Sequence, residues 1–146
     1  MKTVIIFDFN RTIYNPESAQ LMGHSLEMLQ RLSRKFHLIL LGKGDEKRKK
    51  IITRLDIKKF FQDVYLVPEK NIDQLIFIKE RFPKNTLFYS IGDQVKKEIM
   101  LGNAMGFKTI WFKFGKFASE MPETDSEKPW KIVNSLEDVE KIIMGY

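Results

Sequence analysis

Two aspartates stand where short apolar segments end. Asp8 lies near the end of the run Val4 to Phe9, and Asp93 follows Gly92 after the run Thr86 to Ile91. Carboxylates delivered by two different strands suit Mg²⁺, a hard ion that takes oxygen ligands and keeps several waters and phosphate oxygens around it. Other polar residues fall at comparable places. Asn10 is beside Asp8, Gly42 and Lys43 follow a second apolar run, Lys70 follows a third, and Glu98 stands about one turn beyond Asp93. A lysine at such a site neutralises charge on a phosphate or on a nucleophile. Gly42 and Gly44 predict a turn with free backbone N–H groups at a helix start, where an anion is favoured. An aspartate can also attack phosphorus to give an aspartyl phosphate, a recognised form of covalent catalysis. These residue types point to metal-assisted chemistry on a phosphate group, centred on Asp8.

The elements that must position them follow from periodicity. Val4 to Phe9, His37 to Leu41, Val64 to Val67, Thr86 to Ile91 and Thr109 to Phe112 read as short buried strands. After the turn Asn15-Pro16-Glu17-Ser18, the residues Leu21, Met22, Leu26, Leu29 and Leu32 recur at helical spacing, with Ser18 as a candidate cap. Asp45 is placed to cap a helix carrying Ile51, Ile52 and Leu55. Ile72, Leu75, Ile76 and Lys79 mark a third helix, and a fourth runs from about Val95 to Met105. Ser135 caps a last helix, with Glu137 and Asp138 in its first turn. The stretch from Gly115 to Trp130 is polar and reads as a loop that Trp130 anchors. Trp111 reads as a core or edge-strand residue, and His24 and His37 as structural or exposed. Strand then helix, repeated, predicts an α/β fold: a three-layer α/β/α sandwich around a parallel sheet. In such open sheets ligands gather beyond the carboxyl ends of the strands, where the polar residues above converge.

Composition bounds the function. A length of 146 residues fits one domain, 1–146. No apolar run approaches the roughly 18 residues of a membrane span, and the N-terminus lacks the apolar stretch and cleavage site of a signal peptide. The chain has no cysteine, which excludes disulfides and thiolate chemistry and is compatible with the expected cytoplasmic location. A net charge of +6 suits phosphorylated or polyanionic partners, nucleic acid among them, and equally a solvated surface. The clusters Lys47-Arg48-Lys49-Lys50, Lys58-Lys59 and Lys96-Lys97 are not interleaved with aromatics as a single-strand platform would be.

Taken in order, these motifs resemble the haloacid dehalogenase (HAD) superfamily, mostly phosphatases and phosphotransferases. Asp8-Phe9-Asn10-Arg11-Thr12 matches the family's Asp-x-Asp-x-Thr first motif. Gly42 holds the place of the second-motif Ser or Thr, Lys70 matches the third motif, and Gly92-Asp93 with Glu98 matches the fourth. The resemblance covers residues from about 3 to 113. It implies a five-stranded Rossmann-like sheet of order 5-4-1-2-3. It also implies Asp8 as nucleophile and Mg²⁺ ligand, with Asn10 offering its backbone carbonyl to the metal and Asp93 as a further ligand. Glu98 would be a ligand or an acceptor through water. Lys70 would steady Asp8 and the phosphoryl group, and Thr12 would fix the loop by hydrogen bonding. Gly42, Lys43 and Lys70 would meet the phosphate.

The departures narrow that expectation. Asn10 cannot protonate a leaving group or activate water as the family's second acid does, and losing general acid–base help costs about 10²–10⁴-fold. Gly42 has no hydroxyl for phosphate, although Lys43 can replace some of the lost attraction. Glu98 keeps the charge of the commoner Asp on a longer arm. The stretches from Asn10 to Leu38 and from Asp45 to Lys70 have no room for the family's cap domain. Two functions are therefore expected: a capless Mg²⁺-dependent phosphohydrolase, slow or restricted to good leaving groups and open to macromolecular phosphosubstrates, or a catalytically impaired binding or regulatory domain that retains the metal and phosphate site.

Overall fold

The first strand, β1 (Thr3–Phe7), is apolar on both faces, and the computed structural model, which describes residues 2–146, places it at the centre of the sheet. Val4 and Ile6 point to one face while Ile5 and Phe7 point to the other, as the two-residue period of a strand requires. A small hairpin follows, β2 (Tyr14–Asn15) with β3 (Gln20–Leu21), and then helix α1 (Ser25–Ser33). The remaining elements alternate: β4 (His37–Lys43), α2 (Glu46–Leu55), β5 (Asp63–Val67), α3 (Ile72–Glu80) and β6 (Leu87–Gly92). A helical segment then opens with a π turn (Val95–Ile99) and continues as α4 (Met100–Ala104). Strands β7 (Lys108–Phe112) and β8 (Lys131–Val133) and helix α5 (Leu136–Met144) complete the fold.

The main sheet has six parallel strands in the order β5-β4-β1-β6-β7-β8. One face carries Ile5, Phe7, Leu38, Leu40, Ile91 and Ile110 against apolar residues of α1, α2 and α5. The other carries Val4, Ile6, Ile39, Leu41 and Phe88 against Leu75 and Ile78 of α3 and Leu101 and Met105 at α4. This is the expected three-layer arrangement. The five expected strands keep their relative order, but the count is six, because β8 adds to the β7 edge. Three residues with one buried side chain, Val133, carry too little pattern to mark a strand; pairing with β7 creates it.

The start of α1 is a second correction. Ser18 does not cap it: the helix begins seven residues later, after His24 in the left-handed region. Leu21 pairs with Tyr14 in the hairpin, and Tyr14 stacks on the buried ring of Phe9 at 5.0 Å. That contact folds the chain back where periodicity alone suggested a longer helix. Asp45 and Ser135 do cap α2 and α5, accepting from the amides of Lys47 and Asp138. Trp130 lies against Tyr89 at 6.0 Å, and its amide donates to the Thr109 hydroxyl, so it does tie the preceding loop to β7. Among the described residues no helix is long and apolar enough to cross a membrane.

α1 and α5 are locked by a buried carboxylate. Glu140, 3% exposed, accepts from Arg31 at 2.6 and 3.1 Å and meets His24 at 2.7 Å. The Arg31 hydrogen bond outweighs the cost of burial and, with His24, holds the Glu140 carboxyl below its ordinary value. A depressed carboxyl contributes stability that is full above its unfolded value of about 4.3 and is lost as pH falls through the folded value. Glu140→Gln is expected to lose about 1–3 kcal/mol in urea unfolding at pH 7. The gap to the wild type should close as the pH is lowered below about 4.

Candidate active site

The carboxyl edge of β1 and β6 brings two aspartates side by side. Phe7 pairs with Ile91, and the Asp8 amide continues the ladder by donating to the Ile91 carbonyl at 3.0 Å. Asp93 leaves the neighbouring strand one residue after Gly92. Its main chain is held by Trp111 of β7, whose Nε1–H donates to the Asp93 carbonyl at 3.0 Å. The loop from β5 to α3 then carries Lys70 in from the other side of β1. Its Nζ donates to Asp8 Oδ1 at 2.5 Å and to Glu98 Oε1 at 2.8 Å.

Glu98 reaches that position through local geometry. It sits in the π turn, whose wider winding is common at functional sites. Its second oxygen accepts from the Gln94 amide at 3.1 Å, so the side chain folds back over the start of its own helix. Gly92 makes this possible, because a Cβ there would lie 2.5 Å from Glu98 Cγ. Glu120, from the loop after β7, accepts from the amides of Val95 and Lys96 and so satisfies this helix start from outside.

Asp8, Asp93, Glu98 and Lys70 are all less than a tenth exposed. Burial, together with the charges of Asp8 and Glu98, pushes the Asp93 carboxyl up to about 9. Burial and Asp8 also raise Glu98 against the opposing pull of Lys70. Burial works against the Lys70 ammonium, but Asp8 and Glu98 outweigh it and raise its pKa. Carboxylate oxygens of Asp8, Asp93 and Glu98 lie within 4.8 Å of one another, and Asp93 Oδ2 is buried with no partner. With all three carboxylates ionised, one ammonium would leave two uncompensated negative charges, and the raised Asp93 carboxyl reflects burial together with that cost. An all-oxygen donor set with that excess fits a hard divalent cation.

The other expected residues are placed less uniformly. Asn10 lines the cleft in front of Asp8, and its Oδ1 is buried without a partner. Thr12 is fully buried, but its hydroxyl has no partner; the loop is closed instead by main-chain bonds from residues 12, 13 and 14 to the Phe9 carbonyl. Gly42 is not in a turn. β4 runs on through Lys43, because β5 pairs with it as far as Val67, and Gly42 opposes Leu66 inside the ladder. The Gly44 amide donates to the Val67 carbonyl, and the Asp45 carboxylate takes the Lys47 amide. The turn of free N–H groups expected there does not form. Lys43 lines the cleft but pairs with Glu69 at 3.2 Å.

The cleft holds about 690 Å³, within the range of small-molecule sites. Its floor is the acidic cluster, and its rim includes Arg11, Arg48, Lys97, Lys116 and Phe117, which the motifs did not single out. The residue types were visible in the sequence. What no sequence signal carried was their convergence, since Arg48 comes from α2 and Lys116 from the loop after β7.

No protein-family profile matches this sequence, and no curated protein matches it. Solved structures do. The HAD-hydrolase candidate YfnB from Bacillus subtilis, solved bound to magnesium, superposes with a TM-score of 0.81 at 14% identity over 99% of both chains. A haloacid dehalogenase-like family hydrolase from Xanthomonas campestris gives 0.80 at 11% identity, over 99% of this chain and 95% of that one. A haloacid dehalogenase-like family hydrolase from Streptococcus pneumoniae gives 0.75 at 14% identity, over 97% and 98%. The chain therefore has the fold of the HAD-type hydrolases, a Rossmann-like α/β core.

Lys70 is the single cation bonded to Asp8 and Glu98 among the described residues. Breaking a buried pair from one side leaves an uncompensated charge and costs about 3–5 kcal/mol. Lys70→Met is expected to show a loss of about that size in urea unfolding at pH 7, and Lys70→Met with Glu98→Gln to regain part of it.

Proposed function

We propose that this chain is a HAD-type, Mg²⁺-dependent phosphohydrolase with no cap domain, slow or restricted to substrates with good leaving groups. The observation that carries the reading is the buried cluster at the carboxyl edge of β1 and β6, where Lys70 holds Asp8 beside Asp93 and Glu98. When bound there by Asp8, Asp93 and the Asn10 carbonyl, Mg²⁺ would neutralise charge on the phosphoryl group. Glu98 would support it directly or through water.

Asp8 is the nucleophile. Its carboxylate oxygen attacks phosphorus, the bond to the leaving oxygen breaks, and that oxygen departs with the electron pair. Lys70 donates to the other carboxylate oxygen and keeps Asp8 oriented through attack. Asn10 occupies the place from which a general acid would protonate the leaving oxygen, and an amide does not supply that proton. Acyl and aryl phosphates leave without it. The aspartyl phosphate then awaits water that the amide of Asn10 does not activate, with Asp93 and Glu98 assigned to the metal, so its hydrolysis is the slow step. Between β1 and α1 only the β2–β3 hairpin intervenes, and between β4 and β5 only α2 and a short turn. Those lengths support an uncovered site open to large phosphosubstrates.

One observation favours a second reading. Asn10 places an amide at the acid–base position, so the chain can also be read as a domain that binds Mg²⁺ and phosphate without efficient turnover. Assays with acetyl phosphate and an aryl phosphate separate the two. The wild type is expected to turn over slowly with Mg²⁺, Asp8→Asn to be inactive, and Asn10→Asp to gain about 10²–10⁴-fold. No turnover by the wild type alongside a strong gain in Asn10→Asp would leave only the binding domain. Mg²⁺ is also expected to raise the melting temperature of the wild type by mass action, and Asp93→Asn to remove most of that rise.

A further inference from the structure

Two arginines at the mouth of the cleft are built into position. Arg48 lies across Gly44, where a Cβ would sit 2.6 Å from Arg48 Cβ and 2.8 Å from its Cγ. Its guanidinium donates to the Lys43 carbonyl at 2.5 Å and stands 5.8 Å from the centre of the Phe9 ring, the residue between Asp8 and Asn10. Arg11 has the same kind of seat on the other wall. It lies across Gly115, where a Cβ would be 2.9 Å from Arg11 Cδ, and its guanidinium is 5.8 Å from the centre of the Phe117 ring.

Arg11 also holds a backbone φ of 60°, a left-handed conformation that costs a non-glycine residue energy and that surrounding structure must sustain. Here the hairpin sustains it: the Arg11 amide donates to the Tyr14 carbonyl. The strain puts a guanidinium beside the nucleophile's loop.

The charges of the two arginines are available. Among the described residues Arg48 has no carboxylate partner within ion-pair distance. Arg11 pairs only with Glu17, whose side chain is 57% exposed. The Arg11 side chain is itself only 14% exposed and donates twice to that carboxylate, so an incoming anion competes with Glu17 for it. By contrast, Lys43 and Lys97 are both tied to Glu69. A guanidinium presents a planar fork of donors that matches phosphate oxygens. The cleft is much larger than one phosphoryl group fills, and the expected backbone anion site at Gly42 and Gly44 is closed by sheet pairing. An anion beyond the reacting phosphate would meet these two guanidiniums, with Lys116 the other rim cation outside any ion pair among the described residues.

We propose that Arg11 and Arg48 form a second anion subsite at the mouth of the cleft, so that the preferred ligand is a phosphomonoester carrying a further phosphate group. This rests on the reading of the floor as a phosphate site. One phosphate goes to Asp8 and Lys70, and the second lies between the seated guanidiniums. The same chemistry is offered by a free bisphosphorylated nucleoside and by the phosphorylated end of a polynucleotide.

The test is equilibrium binding by calorimetry in Mg²⁺, with adenosine 5′-monophosphate, adenosine 3′,5′-bisphosphate and a 5′-phosphorylated dinucleotide as probes. The bisphosphate is expected to bind about tenfold or more tightly than the monophosphate, the scale of one charge-assisted contact. Arg48→Ala should remove most of that difference, lowering bisphosphate affinity by more than monophosphate affinity, and Arg48→Lys should restore part of it. Arg11→Lys, which keeps charge without the fork, should lower bisphosphate affinity selectively. A dinucleotide that matches the bisphosphate assigns the second phosphate to a polynucleotide; one that binds no better than the monophosphate assigns it to a small molecule. Equal affinity for mono- and bisphosphate, or a difference unmoved by Arg48→Ala, overturns the subsite and leaves the phosphate floor standing. Failure of all three probes to bind overturns the floor as well.

Discussion

Lys70 placed between Asp8 and Glu98 is the contact on which the site depends. Three carboxylates crowd the carboxyl edge of the central strands, away from water, and like charges in that setting cannot all remain ionised without compensation. Lys70 supplies one positive charge, from a different element than any of the acids. Burial, together with the charges of Asp8 and Glu98, raises Asp93, and one of its oxygens has no partner. The three-carboxylate donor set of this arrangement fits a hard divalent cation.

The surroundings hold that arrangement in place. β1 is central and buried on both faces, so Asp8 emerges at a fixed point next to the end of β6. The Trp111 indole fixes the Asp93 carbonyl, Gly92 gives Glu98 room to fold back, and Glu120 closes the start of the helix that carries it. Each of these acts on a site residue without being one. Together they fix the geometry of this edge.

The cleft divides into floor and rim. The floor carries the three acids and Lys70. The rim carries Arg48 from α2, Arg11 from the loop after β1, Lys97 from the π turn and Lys116 from the loop after β7. Asn10 lines the same cleft, with its amide oxygen buried and unpartnered.

Much of the fold was legible in the residues. The apolar runs marked five strands, and their alternation with helices implied a parallel sheet whose carboxyl edge would gather Asp8, Lys43, Lys70, Asp93 and Glu98. Those signals are local, because strand burial and helix caps depend on near neighbours in sequence. What the sequence left open was decided by pairing and packing across the chain. β8 exists because β7 offers it an edge. Gly42 lies in the ladder because β5 extends that far. α1 starts late because Tyr14 stacks on Phe9. Thr12 lacks the expected hydroxyl bond because main-chain bonds close its loop. Arg11, Arg48 and Lys116 meet at one cleft only after three distant segments are folded together. The sequence by itself determined the reactive residue types and the edge where they emerge; tertiary structure decided which of them touch, because side-chain convergence is a property of long-range contacts that no local pattern encodes.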